Sequence, residues 1–315
     1  MNRWLIYLMT SYGASFFISS SGFAQQQPVL IDTAYMECTY KTSYYLDTIK
    51  FEKGIMMGGE FILLVGPKTS KYYEKVTDKY ERIQSDPEIK AAYNKEMELV
   101  FEKARANGGF LEKPILSRVD ALVIYTNYPE GKRTVQDAAF LDYYIYEDDL
   151  EPQQWTMVPD SVKTILDYSC RKAVCTYRGR AYEAWYCPDI PVSLGPWKFS
   201  GLPGLIMSVR DTKGHYTFDI LGLEKSNNPI EYIEYITRKY TRTDRITFLR
   251  NHAKSAQIGI VKYLQANAPA STTNNSGTND NGLTSQFVGG TAKYDLLERD
   301  YKKIDKPKGF NKDDM

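Results

Sequence analysis

Histidine is scarce among the residues that could carry catalysis in this chain. Of 315 residues, 2 are histidines, His215 and His252. Two histidines cannot complete a three-histidine zinc centre, and a serine nucleophile would need one of them as its base. The motifs Gly-x-Ser-x-Gly, His-Glu-x-x-His and Cys-x-x-Cys are absent from the sequence. We therefore expect no metal, no cofactor and no catalytic residue, which favours a binding protein over an enzyme.

Paired carboxylates could act as a general acid and base, and Glu147, Asp148 and Asp149 form an acidic run. Side chains of consecutive strand residues point to opposite faces, so this run is poorly arranged for a two-carboxylate site. We interpret it as a solvated turn. The alternative to a binding protein is an envelope hydrolase whose catalytic residues are dispersed along the chain.

The N-terminus has the pattern of an export signal. An apolar run follows Arg3, and the small residues Gly22 and Ala24 fit the minus-three and minus-one positions of a signal-peptidase site. An uncleaved anchor is the alternative, because the run approaches the length of a membrane span. We predict an exported protein that is periplasmic, associated with the outer membrane or secreted, with no transmembrane span after signal removal.

The cysteines are Cys38, Cys170, Cys175 and Cys187. An exported chain meets an oxidising compartment, which favours disulfides, and four cysteines allow three connectivities. Arg178-Gly179 is typical of a two-residue hairpin turn, and with that turn Cys170 faces Cys187 and leaves Cys175 to Cys38. A shift of one residue would abolish this pairing. The spacing from Cys170 to Cys187 is poor for a zinc site.

Composition excludes several classes of protein. The chain is 43% hydrophobic and 14% aromatic, with 26 tyrosines, and its mean hydropathy is −0.46. It is too aromatic for a disordered protein and too polar for a multi-span membrane protein. With 40 basic against 39 acidic residues the net charge is +1, so we expect no nucleic-acid partner.

Short segments, mostly alternating and rich in aromatic residues and threonine, predict mainly strands, and the apolar run 60–65 before Gly66-Pro67 predicts a buried strand. They lie at 34–48, 60–65, 121–125, 133–136, 140–146, 155–157, 170–176, 181–187, 205–210 and 215–221. Helices are predicted near 72–106, around the start signal Ser85-Asp86-Pro87, and near 244–266, after Thr243-Asp244. The fold class is therefore α+β and mainly antiparallel β, as a curved sheet or half-open barrel with covering helices.

One folded domain is expected. The predicted organisation is a signal peptide at 1–24, a single mainly-β domain at 25–266, a low-complexity linker at 267–291 and a C-terminal tail at 292–315. The helical insertion and the C-terminal helix belong to the mainly-β domain.

A loop at 188–204 contains four prolines and three glycines. It can form neither a helix nor a central strand, because proline lacks a backbone donor and fixes its φ. We predict that Trp197, Phe199 and Leu202 anchor this loop in the core.

The loop and the preceding hairpin supply candidate binding residues. The hairpin register places Lys172 opposite Trp185, as a structural cation–π contact of about 0.5–1 kcal/mol or as a ligand-binding wall. The candidates are Lys172, Arg180, Trp185, Trp197 and Lys198. The expected partner is an envelope protein or a lipophilic or peptide ligand.

The loop ends in a recognisable motif. Its residues are Gly201, Leu202, Pro203, Gly204, Leu205 and Ile206, and the segments 168–173, 178–180, 184–186 and 195–199 accompany it. With these segments the sequence resembles the GLPGLI family, exported proteins of Bacteroidota with no established function. The resemblance is dense over 160–220, weaker over 34–160 and sparse beyond 225. It implies export, no known catalytic residue, and a Cys38–Cys170 disulfide as an alternative pairing. The sequence therefore predicts a non-enzymatic binding or accessory protein of the cell envelope.

Overall fold

The structure is a computed structural model of the chain and describes residues 28–45, 56–109, 116, 120–139, 141–255 and 298–300. The predicted signal peptide and linker, and most of the predicted tail, lie outside these residues. The division into domains therefore stays a prediction. Within the described ranges, no helix combines the length and the apolar character needed to cross a membrane.

Strands dominate the described part of the chain. They are β1 (Val29–Thr33), β2 (Met36–Tyr45), β3 (Met56–Val65), β4 (Ser70–Glu74), β5 (Val123–Thr126), β6 (Lys132–Ala139), β7 (Asp142–Asp149), β8 (Thr156–Ile165), β9 (Tyr168–Tyr177), β10 (Arg180–Cys187), β11 (Leu205–Asp211), β12 (Tyr216–Lys225), β13 (Pro229–Tyr232) and β14 (Tyr240–Asp244). The helices are α1 (Lys75–Ser85), α2 (Pro87–Ala106) and α3, which covers 245–255 of the described chain.

The helices begin where capping side chains are available. Asp86 accepts hydrogen bonds from two backbone N–H groups at the start of α2, and Pro87 occupies its first turn. The predicted start signal therefore marks α2, while Glu74 caps a separate helix, α1, before it. Asp244 accepts the backbone N–H of Thr247 at 2.9 Å, which confirms the predicted cap of α3.

Twelve strands form one sheet in the order β14-β7-β6-β5-β4-β3-β2-β12-β11-β10-β9-β8. Neighbouring strands are antiparallel except β14 and β7, which are parallel. Strands β14 and β8 are the two edges of this sheet, and β1 pairs with β13 in a separate two-stranded sheet. The prediction of a mainly antiparallel β fold is confirmed.

The large sheet is strongly curved. Strands β7 and β10 are eight steps apart in the sheet order, which is about 38 Å in a flat sheet with strands about 4.8 Å apart. Nevertheless Arg178, in the turn before β10, donates to Asp148 on β7 at 2.8 Å. The sheet must therefore curl until its β9–β10 hairpin meets β7, which gives it a concave side.

Helix α3 packs on the concave side of the sheet, where Phe248 stacks on Tyr146 at 5.1 Å. The broader prediction of a helical cover stays a prediction.

Strand β3 shows how the two faces of the sheet are buried. Its residues Phe61, Leu63 and Val65 belong to the main core on the concave side, and Ile62 and Leu64 belong to a second core. Because side chains alternate along a strand, burial on both faces requires a continuous apolar run. The run from Phe61 to Val65 meets that requirement, as the sequence predicts.

The β9–β10 hairpin has the predicted register. Arg180 pairs with Tyr177 and Tyr182 with Cys175, and both turn residues, Arg178 and Gly179, have positive φ. This is the geometry of a two-residue turn that matches strand twist. The small and aromatic residues of one hairpin face are predicted to pack on the core. Of these, Ala173, Cys175, Tyr182, Ala184 and Tyr186 are buried, and Tyr177 is half-buried.

The predicted disulfides are absent from the structure. Cys38, Cys170, Cys175 and Cys187 are buried free thiols. The thiols of Cys170 and Cys187 are in hydrogen-bond contact across the hairpin, and burial raises the pKa of Cys170 to about 11. Cys38 lies on β2, four steps from β9 in the sheet, whereas a disulfide needs Cα atoms within about 7 Å. Cys38 is bonded to neither Cys175 nor Cys170 in the structure.

Candidate functional site

The curved sheet encloses a cavity of about 440 Å³ on its concave side. We call this cavity the cup. It is lined by Thr42, Tyr44, Phe61, Tyr72, Asp120, Ala121, Leu122, Asp137, Ala138, Leu141, Tyr143, Tyr146, Trp197, Tyr216, Phe218, Phe248, Leu249, His252 and Glu298. Strands β2, β3, β4, β6, β7 and β12, helix α3 and the proline-glycine loop supply most of these residues. The others lie in the segment 120–122 before β5, at Leu141 between β6 and β7, and at Glu298. The volume lies in the range of about 300–1,000 Å³ that is typical of small-molecule sites.

Aromatic rings form most of the cup wall. Tyr44 of β2 stacks on Tyr216 of β12 with centroids 5.9 Å apart, and Phe61 of β3 stacks on Tyr72 of β4 at 5.0 Å. Tyr72 also shares a hydrogen bond of 2.8 Å with the Thr42 hydroxyl. Each ring pair joins neighbouring strands, so the sheet itself sets the positions of the rings. The wall consequently presents ring faces at positions that the sheet sets, together with polar side chains.

Two carboxyl groups, Asp120 and Asp137, face the same cavity. Asp120 precedes β5, where its backbone N–H donates to Thr77 of α1 at 3.2 Å and its carboxylate accepts the Leu122 N–H at 2.9 Å. Asp137 lies within β6 and accepts the Ala138 N–H at 2.7 Å. Both side chains keep partial exposure because they border the cup, although they lie deep within the molecule.

Burial disfavours the ionised form of both carboxyl groups. It raises the pKa of Asp120 to about 6, against a smaller opposing effect of the Leu122 N–H. Burial and then the negative charge of Asp120 raise the pKa of Asp137 to about 8. At neutral pH the pair therefore holds about one proton, which is the protonation pattern of a carboxyl dyad.

His252 and Tyr44, which also line the cup, are uncharged near neutral pH. Burial lowers the pKa of His252 to about 4, so its ring is neutral. Burial also raises the pKa of Tyr44 well above its ordinary value. Asp120 and Asp137 therefore lie among uncharged aromatic rings, while Glu298, the third carboxyl group of the lining, is paired with Lys198 and Arg245.

A buried ion-pair cluster forms one side of the cup. Lys198 Nζ lies 2.5 Å from Glu298 Oε1 and 3.1 Å from Asp148 Oδ2. Arg245 of α3 contacts the other Glu298 oxygen at 2.5 Å, and Arg178 contacts Asp148 at 2.8 Å. Removing one member of such a cluster leaves a buried charge uncompensated. The cluster therefore fixes the loop, β7, the hairpin turn and residues 298–300 to one another.

This cluster corrects the interpretation of the acidic run. Asp148 is 8% exposed and lies on β7, so it does not belong to a solvated turn. Alternation of side chains along the strand places Asp148 toward Lys198 and Arg178 and leaves Asp149 exposed. The positive charges that stabilise Asp148 come from distant parts of the chain and have no local sequence signal.

Of the five candidate binding residues, Trp197 lines the cup. Lys198, next to it, is 2% exposed and is used by the ion-pair cluster. Arg180 is equally buried, pairs with Asp211 at 2.9 Å and lies over the Tyr216 ring at 4.8 Å. The charges of Lys198 and Arg180 are therefore compensated within the protein, and both side chains pack in the core.

Lys172 and Trp185 lie opposite each other in the hairpin, as predicted. The predicted cation–π contact between them is wrong, because Lys172 pairs with Glu183 at 3.2 Å. The cation over the Trp185 ring is Lys163 of β8, at 5.8 Å from the centroid. Along β10, Trp185 and Arg180 point to opposite faces. The five candidates therefore do not form one surface.

The GLPGLI motif is a packing element at the entry to β11. Leu202, Leu205 and Ile206 are fully buried, and the predicted anchors Trp197 and Phe199 are buried too. Gly204 has a φ of +149°, and a Cβ atom there would lie 2.1 Å from the Cys187 carbonyl oxygen. The motif thus packs the loop against β10. None of its six residues lines the cup, whereas Trp197, four residues before the motif, does.

Metal binding finds no support in the described ranges. No group of three histidine, cysteine, aspartate or glutamate side chains there is arranged to hold a metal ion. The residues present fit an organic ligand better, because ring faces outnumber ionisable groups on the cup wall.

Sequence reasoning missed both carboxyl groups of the cup. Asp137 stands between two segments predicted as separate strands, whereas β6 runs unbroken from Lys132 to Ala139. The sequence did contain one signal for Asp137. It lies two residues from Val135 and two from Ala139, which are buried, so its side chain is on the same face of the strand as theirs. The proximity of Asp120 to Asp137 is a property of the sheet, and no local pattern shows it.

Part of the chain resembles a known protein family. A family described as "Protein of unknown function (Porph_ging)" matches residues 178–208, a stretch that contains the GLPGLI motif. No curated protein matches the chain. Two structures of PNGF-II, in different space groups, are similar over 71% of this chain, with 16% identity and a TM-score of 0.41. This chain spans 34% and 33% of those proteins, about one third of their length. The chain is therefore similar, over a short central stretch, to a family of unknown function.

Proposed function

We propose that this protein is a non-enzymatic binding protein of the cell envelope, of the GLPGLI type, that holds one small organic ligand in the cup. The observation that carries the proposal is the cup itself, a cavity of about 440 Å³ with aromatic walls and two convergent carboxyl groups. Cavities of this size with a few placed polar groups are the usual form of ligand sites. The predicted signal peptide supports the envelope location.

The shape of the site favours a ligand with a flat or apolar body. Tyr44, Tyr143 and Leu122 are partly exposed to the cavity, so a ligand would remove apolar surface from contact with water. Burying such surface contributes about 25 cal/mol per Å². Because Arg180 and Lys198 are already ion-paired, the binding function rests on the cup and not on the hairpin surface.

The test compares two alanine-to-phenylalanine substitutions. Ala138 borders the cup, whereas Ala181 lies on the exposed face of β10. Ala138→Phe adds a ring at the border of the cavity and narrows it, and Ala181→Phe is the matched control. Each protein is mixed with low-mass fractions of an envelope extract, and its thermal unfolding is followed by circular dichroism.

One fraction is expected to raise the Tm of the wild type and of Ala181→Phe by about 5 °C or more, as a ligand at about 100 times its Kd would. Ala138→Phe, which must still unfold cooperatively, should show no such increase. An equal increase in Ala138→Phe, or no increase in the wild type with any fraction, contradicts the proposal.

A hydrolase is the second candidate, and a specific observation favours it. Asp120 and Asp137 have pKa values raised to about 6 and about 8, which suits a general acid and base near neutral pH. The active fraction separates the two functions. A binding protein returns the ligand unchanged after prolonged incubation, whereas a hydrolase returns products and loses that activity in Asp137→Asn.

A further inference from the structure

Asp120 and Asp137 lack the cations that accompany the other buried acids in and near the cup. Glu298, on the same wall, has Lys198 and Arg245 each at 2.5 Å. Among the residues that the structure describes, Asp120 and Asp137 form no ion pair, and each carboxylate accepts one backbone N–H group. A buried carboxylate without a cation is costly. The site is therefore short of positive charge.

The cup also offers aromatic faces next to these carboxyl groups. Tyr44 lines the same cavity as Asp120 and Asp137, and the negative charges of both carboxyl groups act on it. Tyr44 stacks on Tyr216, and Tyr143 lies on the same wall. The face of an aromatic ring attracts a cation by about 0.5–2 kcal/mol, more when the cation is desolvated. Rings and carboxyl groups thus favour the same ligand chemistry.

We propose that the ligand of the cup carries an ammonium or guanidinium group, which binds between Asp120 and Asp137 and against the ring of Tyr44. This inference rests on the proposed function, because it names the class of ligand that the cup receives. The rest of the ligand packs on the apolar wall formed by residues such as Leu122 and Phe218. The cation supplies the charge that the two acids lack.

The surrounding charges define how binding depends on pH. Glu74 and Arg238 act on Asp120 with opposite signs, and Lys198 and Glu298 act on Asp137 with opposite signs. His252 on α3 is neutral above about pH 4. Between about pH 5 and about pH 8, the carboxyl groups of Asp120 and Asp137 therefore lose their protons and add negative charge to the cup. Affinity for a cation should rise across this range.

Binding of the cation should also release a proton. Near pH 7 the Asp137 carboxyl is protonated in most molecules, because its pKa is raised to about 8 by burial and by the charge of Asp120. A bound cation favours the ionised form, so the carboxyl proton passes to the buffer. The release is measured by calorimetry in two buffers with different ionisation enthalpies.

The test uses phenethylamine and phenethyl alcohol, which share the aromatic body and differ in the charged head group. Their affinities are measured by isothermal titration calorimetry with the full mature chain. Phenethylamine is expected to bind at least about tenfold more tightly, equivalent to about 1.4 kcal/mol. Asp120→Asn and Asp137→Asn should each reduce this ratio, while Asp149→Asn, which changes an exposed carboxylate outside the cup, should preserve it.

The outcomes separate this inference from the proposed function. Equal binding of both compounds, abolished by Ala138→Phe, would retain the cup as a binding site and overturn the cationic ligand. Failure of phenethylamine to bind would also overturn it, while the extract experiment decides the proposed function independently. Tighter amine binding with proton release, lost in the two asparagine variants, supports the inference.

Discussion

At the residue scale, Asp137 links the chemistry of the cup to the stability of the fold. Burial and the charge of Asp120 raise its pKa from 3.8 to about 8. The native state therefore holds a proton that the unfolded chain releases above about pH 4. The contribution of this group to the free energy of unfolding is fully present at low pH and is lost as the pH rises to about 8.

Asp137→Asn should remove this pH dependence while keeping the size of the side chain. We expect the variant to exceed the wild type in free energy of unfolding by at least about 1 kcal/mol at about pH 8, and to match it near pH 4. Urea unfolding monitored by tryptophan fluorescence measures the difference.

The control for Asp137→Asn is Asp149→Asn, on the same sheet but exposed and paired with Lys132. It should change stability by less than about 1 kcal/mol at both pH values. A loss of stability in Asp137→Asn that is equal at both pH values would show that the aspartate stabilises the fold in its ionised form, and the raised pKa of Asp137 would then be wrong.

The individual residues that matter could be predicted from the sequence only in part. Trp197 was predicted at the binding loop and does line the cup. Lys198 was predicted as a binding residue, and in the structure its charge is paired with Glu298, one hundred positions away. Whether a charge is available to a ligand depends on such distant partners, and sequence spacing does not record them.

At the element scale, the GLPGLI motif places the loop, and the loop carries Trp197 into the cup. Gly204 is essential to this arrangement, because its φ of +149° and its closeness to the Cys187 carbonyl leave no space for a Cβ atom. Gly214, in the turn between β11 and β12, also has a positive φ, but a Cβ atom there would meet nothing within 4 Å.

Gly204→Ala is therefore expected to destabilise the protein by about 3 kcal/mol, because the new Cβ atom would force the backbone at 204 away from the backbone at Cys187. Gly214→Ala, the matched control, should cost about 1 kcal/mol, from the left-handed conformation alone. Thermal or urea unfolding of both variants gives the two values. Equal losses in the two variants would mean that close packing at Gly204 does not hold the loop in place.

The elements themselves were largely predictable because their signals are local. The register of the β9–β10 hairpin follows from its two-residue turn, and the buried run of β3 and the cap of α3 follow from side-chain types. The short strand β4 was not separated from the helix that follows it, since lysine and tyrosine suit both structures.

At the scale of the whole molecule, curvature of the sheet creates the site. Asp120, Asp137 and Tyr216 become neighbours because β6 and β12 face each other across the curled sheet. A mainly antiparallel fold was predictable from alternating segments, whereas the strand order that joins β12 to β2 is set by long-range pairing. The composition of the cup was therefore beyond local sequence reasoning.

The central claim is that the cup holds one small molecule in the exported protein. Native mass spectrometry of the mature chain, isolated gently from its own cell envelope, tests this claim most directly. We predict a mass that exceeds that of the polypeptide by one low-mass compound in the wild type and in Ala181→Phe, and the bare polypeptide mass in Ala138→Phe. A bare mass in the wild type, or the same added mass in Ala138→Phe, would contradict the claim.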